Sequence, residues 1–162
     1  MIIREHIPLR TLTTFRIGGP ARYVIDLEHP DEIPDALAFA RERELPWYIL
    51  GTGSNVLADD AGYDGVVLRP VFSSHSFDAE NGGTLLIAEA GASWDAVVNL
   101  GGEQELWGIE NLAGIPGTIG AAPVQNIGAY GAELADTLAW VEAFDTATGA
   151  ARRFSKKECE LG

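Results

Sequence analysis

The chain has 162 residues and a formal net charge of −13, with 46% hydrophobic and 22% charged residues. This composition is typical of a globular protein rather than a disordered one. The acidity argues against nucleic acid and against an anionic membrane surface as partners, because both would be repelled at long range, and simple solubility explains it best.

The residues that often carry metal or redox chemistry show no such pattern here. Cys159 is the single cysteine, so no disulfide forms within the chain, and we interpret it as a buried or incidental thiol. The histidines, His6, His29 and His75, lack metal-ligand spacing, and we predict no metal site. No apolar run of about 18 residues and no signal-peptide core occurs, so we expect no membrane span and a cytoplasmic location.

The first half of the chain predicts a β-α-β unit. Residues 23–27 are predicted to form a strand, and Asp31 to cap a helix with an apolar face. That face comprises Ile33, Ala36, Leu37 and Ala40, and Pro34 is tolerated because it lies in the first turn. Residues 47–50 and 66–68 are predicted to be further strands.

Residues 51–57, with the sequence GTGSNVL, form a small-residue turn after the strand 47–50. At a strand end such a turn can point its N–H groups and the Thr52 and Ser54 hydroxyls outward, which suits a pyrophosphate. The turn is not a dinucleotide fingerprint, because Val56 replaces the third glycine, and it lacks the lysine of a P-loop. A plain β-turn is an equally good interpretation of these residues alone.

The second half predicts another lobe, entered through a linker or loop over residues 73–83. A strand over 85–88 precedes a helix capped by Ser93, with Trp94, Val97 and Val98 facing inward. Residues 138–144 and 150–154 are predicted to form a hairpin. Residues 155–158, SKKE, satisfy a capping box and so predict the start of a helix.

Residues 115–134, IPGTIGAAPVQNIGAYGAEL, are unsuited to a regular element. Each glycine in a helix or strand interior costs about 0.5–1 kcal/mol relative to alanine. Glycine lets the backbone approach a ligand closely, and neighbouring Thr118, Gln125, Asn126 and Tyr130 supply hydrogen-bonding groups. A flat, phosphate-bearing cofactor in a cleft between the two lobes fits this pattern; a loop-rich connection between two sheets is the alternative.

Together, GTGSNVL and ENLAGIPGTIGAAPVQNIGAYGAEL resemble the UDP-N-acetylenolpyruvoylglucosamine reductase family, flavoenzymes that complete UDP-N-acetylmuramate for bacterial peptidoglycan. Residues 14–21, TFRIGGPA, and residues 157–162, KECELG, extend the resemblance over nearly the whole chain. Two departures are visible: Thr13 stands where the family often has asparagine, and Ala121 with Ala122 occupies a pair that is serine in some members.

The resemblance implies an α+β, two-lobed FAD-binding fold of the vanillyl-alcohol-oxidase type, truncated. Lobe 1 would span residues 1–70 and an incomplete lobe 2 residues 71–162, with the substrate-binding domain absent. In the family, a Tyr-Arg pair follows the glycine that matches Gly162, and a later domain supplies a proton-donating serine and a glutamate. We therefore expect no catalytic residue in these 162 residues, little turnover, and self-association through exposed apolar surface.

The resemblance also assigns FAD binding residue by residue. The pyrophosphate would be cradled by Gly51, Thr52, Gly53, Ser54 and Asn55. The flavin and ribityl chain would lie along Ile115, Pro116, Gly117, Thr118, Ile119, Gly120, Ala121 and Ala122. The ring edge would meet Gln125, Asn126, Ile127 and Gly128, with Tyr130 stacking or hydrogen bonding nearby, or else anchoring the loop from the core. NADPH would supply the hydride, and the UDP-sugar substrate would bind only with the missing domain.

Two other classes of protein remain open from the residues. One is the FAD-binding module of another flavin oxidase or dehydrogenase. Such oxidases often attach flavin through a histidine near the pyrophosphate loop, and residues 51–57 contain none. The other is a cofactor-free interaction domain in which both glycine-containing segments are only turns.

Overall fold

The structure is a computed structural model, and it describes residues 1–80 and 82–161. Asn81 and Gly162, which belong to the predicted linker and to the C-terminal family match, lie outside the described residues. The chain divides into two compact units, Met1–Phe72 and Ser73–Gly162. Within the described ranges, no helix is both long and apolar enough to cross a bilayer.

Unit 1 is built on a four-stranded sheet with the order β1-β2-β4-β3. Its strands are β1 (Ile2–Pro8), β2 (Pro20–Leu27), β3 (Trp47–Ile49) and β4 (Tyr63–Pro70). β1 is antiparallel to β2, whereas β4 runs parallel to both β2 and β3. The sequence analysis did not predict β1, because this edge strand is largely exposed and lacks a regular apolar alternation.

Helix α1 (Ile33–Glu42) follows β2 and contributes to one of the two cores of this sheet. The predicted apolar face and the position of Pro34 in the first turn are confirmed. The prediction that Asp31 caps the helix is wrong. Asp31 lies inside a 3-10 turn, Pro30–Glu32, and the N-cap position of α1 is Glu32. The Glu32 carboxylate accepts the Glu28 N–H at 2.7 Å, so it orders this turn instead.

The second core of unit 1 contacts both ends of the turn at residues 51–57, for which phosphate binding is predicted. It contains the buried residues Leu9, Ala21, Val24, Leu50 and Val67, with Leu12 and Val56 packed against it. Leu50 therefore anchors the start of the turn 51–57, and Val56 anchors its end. The turn is fixed at both ends by apolar contacts.

Unit 2 begins with an antiparallel hairpin of β5 (His75–Glu80) and β6 (Gly83–Ala88). The prediction of a linker over 73–83 is therefore wrong for β5. Residues 75–79 are exposed and mostly polar, so a search for apolar periodicity does not find the strand, although Phe77 pairs with Leu86 across the hairpin. The strand predicted over 85–88 is confirmed within β6.

Helix α2 (Trp94–Glu103) and a second hairpin complete the regular structure that was predicted for unit 2. Ser93 is the N-cap of α2, and its hydroxyl oxygen accepts the Ala96 N–H, so the cap is confirmed. The hairpin predicted around residues 146–149 is also confirmed, as β9 (Trp140–Asp145) paired with β10 (Ala150–Ser155). The capping box at Ser155 is present, and it opens a single 3-10 turn, Lys156–Cys159.

Short elements connect α2 to that hairpin: β7 (Gly128–Ala129), β8 (Ala132–Glu133) and α3 (Leu134–Thr137). They surround a core whose buried members are Trp94, Val98, Leu112, Ala122 and Leu134. Trp94 is thus a core residue, as predicted, with 3% of its surface exposed. Cys159 is a half-buried free thiol.

Candidate functional site

In unit 1 the turn that follows β3 is packed backbone to backbone against residues 12–14. Gly53 has φ +68°, and a Cβ placed on it would lie 2.3 Å from the Leu12 carbonyl oxygen. The Gly53 carbonyl in turn accepts the Thr14 N–H at 3.1 Å. Only glycine fits this position, because it needs both a left-handed backbone and the absence of a side chain.

The facing turn, residues 13–17, is held by a buried hydroxyl. Thr13 is 7% exposed, and its Oγ1 donates to the Ile17 carbonyl at 3.2 Å. The Arg16 N–H donates to the Thr13 carbonyl, and Arg16 itself has φ +56°. A non-glycine residue in this left-handed region carries a local strain of order 1–2 kcal/mol. Thr13, one of the two departures from the family pattern, thus holds the turn that carries Arg16.

These two turns border an open cavity of about 400 Å³. It is lined by Thr11, Leu12, Thr13, Thr14, Arg16, Gly51, Thr52 and Arg69. Two arginines line it, and no aspartate or glutamate among the described residues does, although the chain as a whole carries a net charge of −13. The local charge therefore favours an anion where the overall charge does not.

The sequence analysis identified Gly51 and Thr52 at this cavity but missed Arg16 and Arg69. The sequence did offer one signal for them. The chain has only 11 lysines and arginines against 24 acidic residues, so each arginine near a predicted phosphate turn was a candidate anion ligand. A larger cavity of about 500 Å³ in the same unit, lined by Arg22, Tyr63 and Asp64 among others, contains none of the predicted site residues. Burial raises the pKa of Tyr63 there.

In unit 2 the glycine-rich segment is attached to the loop that leads into α2. A bridge pairs Thr118 with Ser93, the N-cap residue of α2. Three backbone hydrogen bonds extend it: Trp94 N–H to Gly117 O at 3.1 Å, Ile119 N–H to Ala92 O at 2.9 Å, and Gly120 N–H to Ala90 O at 2.9 Å. A Cβ on Gly120 would lie 2.8 Å from the Ala90 Cβ, so this glycine permits the close approach.

The first turn of α2 also fixes the start of the segment. The Trp94 indole N–H donates to the Leu112 carbonyl at 2.9 Å in the core, and the Gly114 N–H donates to the Asp95 carboxylate at 2.8 Å. Gly114 and Gly117 have φ +76° and +153°, and a Cβ on either would meet no atom within 4 Å. Hydrogen bonds to the first turn of α2 therefore hold the backbone at Gly114 and Gly117, and the space at their Cβ positions is open. This arrangement suits the close approach of a flat ligand.

The side chains of the segment divide into a core-facing set and an exposed set. Ala122 and Thr118 are buried, and three isoleucines, Ile115, Ile119 and Ile127, pack against the core of unit 2. The isoleucines are only partly buried, so this set offers a ligand mainly its backbone, with some apolar side-chain surface. The exposed predicted site residues are Pro116, Gly120, Gln125, Gly128 and Tyr130. Tyr130 is 91% exposed, so the interpretation of Tyr130 as a core-facing anchor is wrong.

The Asn126 side chain forms hydrogen bonds within the fold. It adopts φ +40°, its Oδ1 accepts the Ala135 N–H at 3.1 Å, and its Nδ2 donates to Glu133 at 3.0 Å. The amide thereby ties the segment to the start of α3. Two apolar side chains of unit 2, Trp107 and Val124, are both 81% exposed. Among the residues that the structure describes, no group of three or more His, Cys, Asp or Glu side chains forms a metal site.

Comparison with known proteins assigns a class to this arrangement. Residues 21–155 match the model of the FAD binding domain, and the chain therefore belongs to this family of FAD-binding domains. The predicted α+β FAD-binding fold and FAD as cofactor are confirmed. Each unit by itself has features that fit such a cofactor: two arginines line a cavity of unit 1, and the glycine backbone of unit 2 is open at Gly114 and Gly117.

The individual relatives are more specific than the domain. The chain is similar to the UDP-N-acetylenolpyruvoylglucosamine reductases of Cutibacterium acnes, at 40% identity, and of Xanthomonas campestris pv. campestris, at 42% identity, each over 98% of this chain. The chain covers 42% and 45% of those two proteins, so it spans less than half the length of these curated relatives. The resemblance to this family is confirmed.

Solved structures agree with the sequence relatives. The crystal structure of the UDP-N-acetylenolpyruvylglucosamine reductase from Thermus caldophilus matches 97% of this chain, and 54% of its own, with a TM-score of 0.75 and 30% identity. Cholesterol oxidase from Brevibacterium sterolicum matches 95% of this chain, and 33% of its own, with a TM-score of 0.71 at 15% identity. The second likeness shows a shared fold alone.

Proposed function

We propose that this chain is the FAD-binding portion of an NADPH-dependent reductase that converts UDP-N-acetylglucosamine enolpyruvate to UDP-N-acetylmuramate, a peptidoglycan precursor. The observation that carries the proposal is the similarity to named reductases over 98% of the chain, at 40–42% identity. The proposal includes a cytoplasmic location and a contribution to cell wall biogenesis, and through it to cell shape and division.

When bound, FAD supplies hydride-transfer chemistry between NADPH and the enolpyruvyl substrate. The residues of unit 1 would hold its phosphates. The turn at residues 51–55 is fixed by the hydrogen bond that the Thr14 N–H donates to the Gly53 carbonyl, and the cavity beside it carries positive charge from Arg16 and Arg69. A turn that is already fixed loses little conformational entropy when a phosphate binds, which favours affinity.

The residues of unit 2 would hold the ring system. Trp94 and Asp95 fix the backbone at Leu112 and Gly114, and the open face at Gly114 and Gly117 leaves space for a flat ligand. Exposed Gln125 and Tyr130 could then orient the ring edge through hydrogen bonds or stacking. The binding roles assigned to residues 51–55 and 115–130, and their action on a single FAD molecule, stay predictions.

Titration of the chain with FAD, followed by flavin fluorescence, tests this proposal. We expect saturable binding at one FAD per chain, with the flavin released on denaturation because it is not covalently attached. Addition of NADPH and the UDP-sugar then measures how far these 162 residues alone support turnover, which we expect to be little. Absence of flavin binding would contradict the proposal, and flavin that stays attached after denaturation would favour an oxidase module.

A matched pair of glycine variants places the ligand on the chain. Gly114 and Gly149 have almost identical φ values, +76° and +75°, and a Cβ on either meets no atom within 4 Å. Gly114→Leu and Gly149→Leu therefore carry a similar backbone penalty. We expect Gly114→Leu to weaken FAD binding and Gly149→Leu to leave it unchanged; equal effects would argue against a ligand at the Gly114 backbone.

A further inference from the structure

Three charged side chains lie side by side across the sheet of unit 1: Arg4 on β1, Asp26 on β2 and Arg69 on β4. Arg4 Nη2 donates to Asp26 Oδ2 at 2.5 Å, and Arg69 Nη1 donates to Asp26 Oδ1 at 2.9 Å. The Asp26 side chain is only 17% exposed. Because two guanidiniums share one carboxylate, the triad keeps a net charge of +1 in a partly buried position.

Arg69 also lines the cavity beside Gly51 and Thr52. Its Nη1 is engaged by Asp26, whereas its Nε is buried and has no hydrogen-bond partner among the described residues. A guanidinium has five N–H donors. The buried Nε is out of reach of a ligand, so the terminal Nη donors that do not bond to Asp26 are the ones that remain for it. Arg16 lines the same cavity, and within residues 1–80 and 82–161 no salt bridge includes it.

Asp26 and Arg4 have distinct consequences for Arg69. The carboxylate fixes the planar guanidinium in one orientation, so that less entropy is lost when its remaining donors bind. Arg4 offsets the charge of Asp26, so Arg69 retains its attraction for an anion. A triad that served only to tie the three strands together would not require Arg69 to border a cavity that contains a second arginine.

We propose that Arg69, oriented by Asp26 and assisted by Arg16, binds a phosphate of a nucleoside diphosphate group in the cavity beside Gly51 and Thr52. This inference rests on the proposed function, which makes the pyrophosphate of FAD the ligand. Phosphate oxygens accept strong, charge-assisted hydrogen bonds from guanidinium donors. The binding energy comes from the phosphates and not from the flavin ring, and this distinction makes the inference testable.

The test compares three ligands: FAD, ADP, which keeps the diphosphate without the flavin, and riboflavin, which keeps the flavin without phosphate. Arg69→Met is measured beside Arg22→Met, a matched control in unit 1. Arg22 is exposed and pairs with Asp64 at 3.2 Å, and it does not line this cavity. Each variant removes one positive charge, so both change the formal net charge from −13 to −14.

We expect Arg69→Met to weaken FAD and ADP binding by about 10- to 100-fold, the range for loss of a charge-assisted hydrogen bond, and to leave riboflavin unchanged. Arg22→Met should change none of the three. Arg16→Met should repeat the ligand pattern of Arg69→Met with a smaller loss. Because Arg16 is exposed, that variant decides the matter even where Arg69→Met proves too unstable to assay.

Each outcome has one meaning. Equal FAD affinity in Arg69→Met and Arg22→Met, or an unchanged affinity in Arg16→Met where the Arg69 variant does not fold, overturns the inference and leaves the proposed function standing. Equal losses for FAD and riboflavin also overturn it, because the residue would then act through the fold. Binding of ADP but of no flavin by the unaltered chain supports the phosphate site and overturns the proposed function. Binding of none of the ligands overturns both.

Discussion

Trp94→Phe removes the indole N–H that holds the start of the glycine-rich segment. The indole is 3% exposed and donates to the Leu112 carbonyl at 2.9 Å in a buried position. Phenylalanine keeps most of the apolar surface but leaves that carbonyl without its donor. A buried polar group without a partner costs about 1–3 kcal/mol. The smaller ring leaves a cavity that adds about 1 kcal/mol, so we expect a loss of about 2–4 kcal/mol in the free energy of unfolding.

Trp107→Phe is the matched control, because Trp107 carries the same side chain in the same unit but is 81% exposed. Exposed substitutions of this kind usually change stability by less than about 0.5 kcal/mol. Chemical denaturation followed by far-ultraviolet circular dichroism measures both variants without relying on tryptophan emission. A Trp94→Phe effect no larger than the Trp107→Phe effect would refute the role given to the indole hydrogen bond. FAD affinity should also fall in Trp94→Phe, because the start of the glycine-rich segment is then less well held, and it should stay unchanged in Trp107→Phe.

Two further predictions concern backbone fit and pH. Gly53→Ala should destabilise the chain by more than Gly149→Ala in thermal unfolding, since both have positive φ but only a Cβ at Gly53 meets a backbone atom, 2.3 Å away. Hydrogen bonds from the Ser155 N–H and hydroxyl lower the pKa of Glu158 below its ordinary value of 4.5. The stabilisation from this capping box is therefore present at neutral pH and lost as the pH falls through the lowered pKa. The protection factor of the Ser155 amide in hydrogen exchange, which corrects for the intrinsic pH dependence, should fall in that acidic range, and Glu158→Gln should abolish this fall.

Several local features could be predicted from the sequence because adjacent residues determine them. The Ser93 cap, the hairpin of β9 and β10 and the capping box at Ser155 each depend on hydrogen bonds between residues close in the chain. The glycine-rich segment was also recognisable, because its glycine density conflicts with helix and strand. Resemblance to a family then supplied the cofactor, which no periodicity could have provided.

Other features were decided only by the tertiary structure. β1 is largely exposed, residues 75–79 of β5 are exposed, and neither strand shows a regular apolar alternation, so these strands are defined by their pairing with β2 and β6. The residues that share a cavity with the start of the turn 51–57 come from distant segments, because Thr13 packs against Gly53 and Arg69 bonds to Asp26 of the neighbouring strand. A charge in the sequence shows that a side chain can bind an anion. Its position and partners depend on how the strands pair, and only the folded chain determines that.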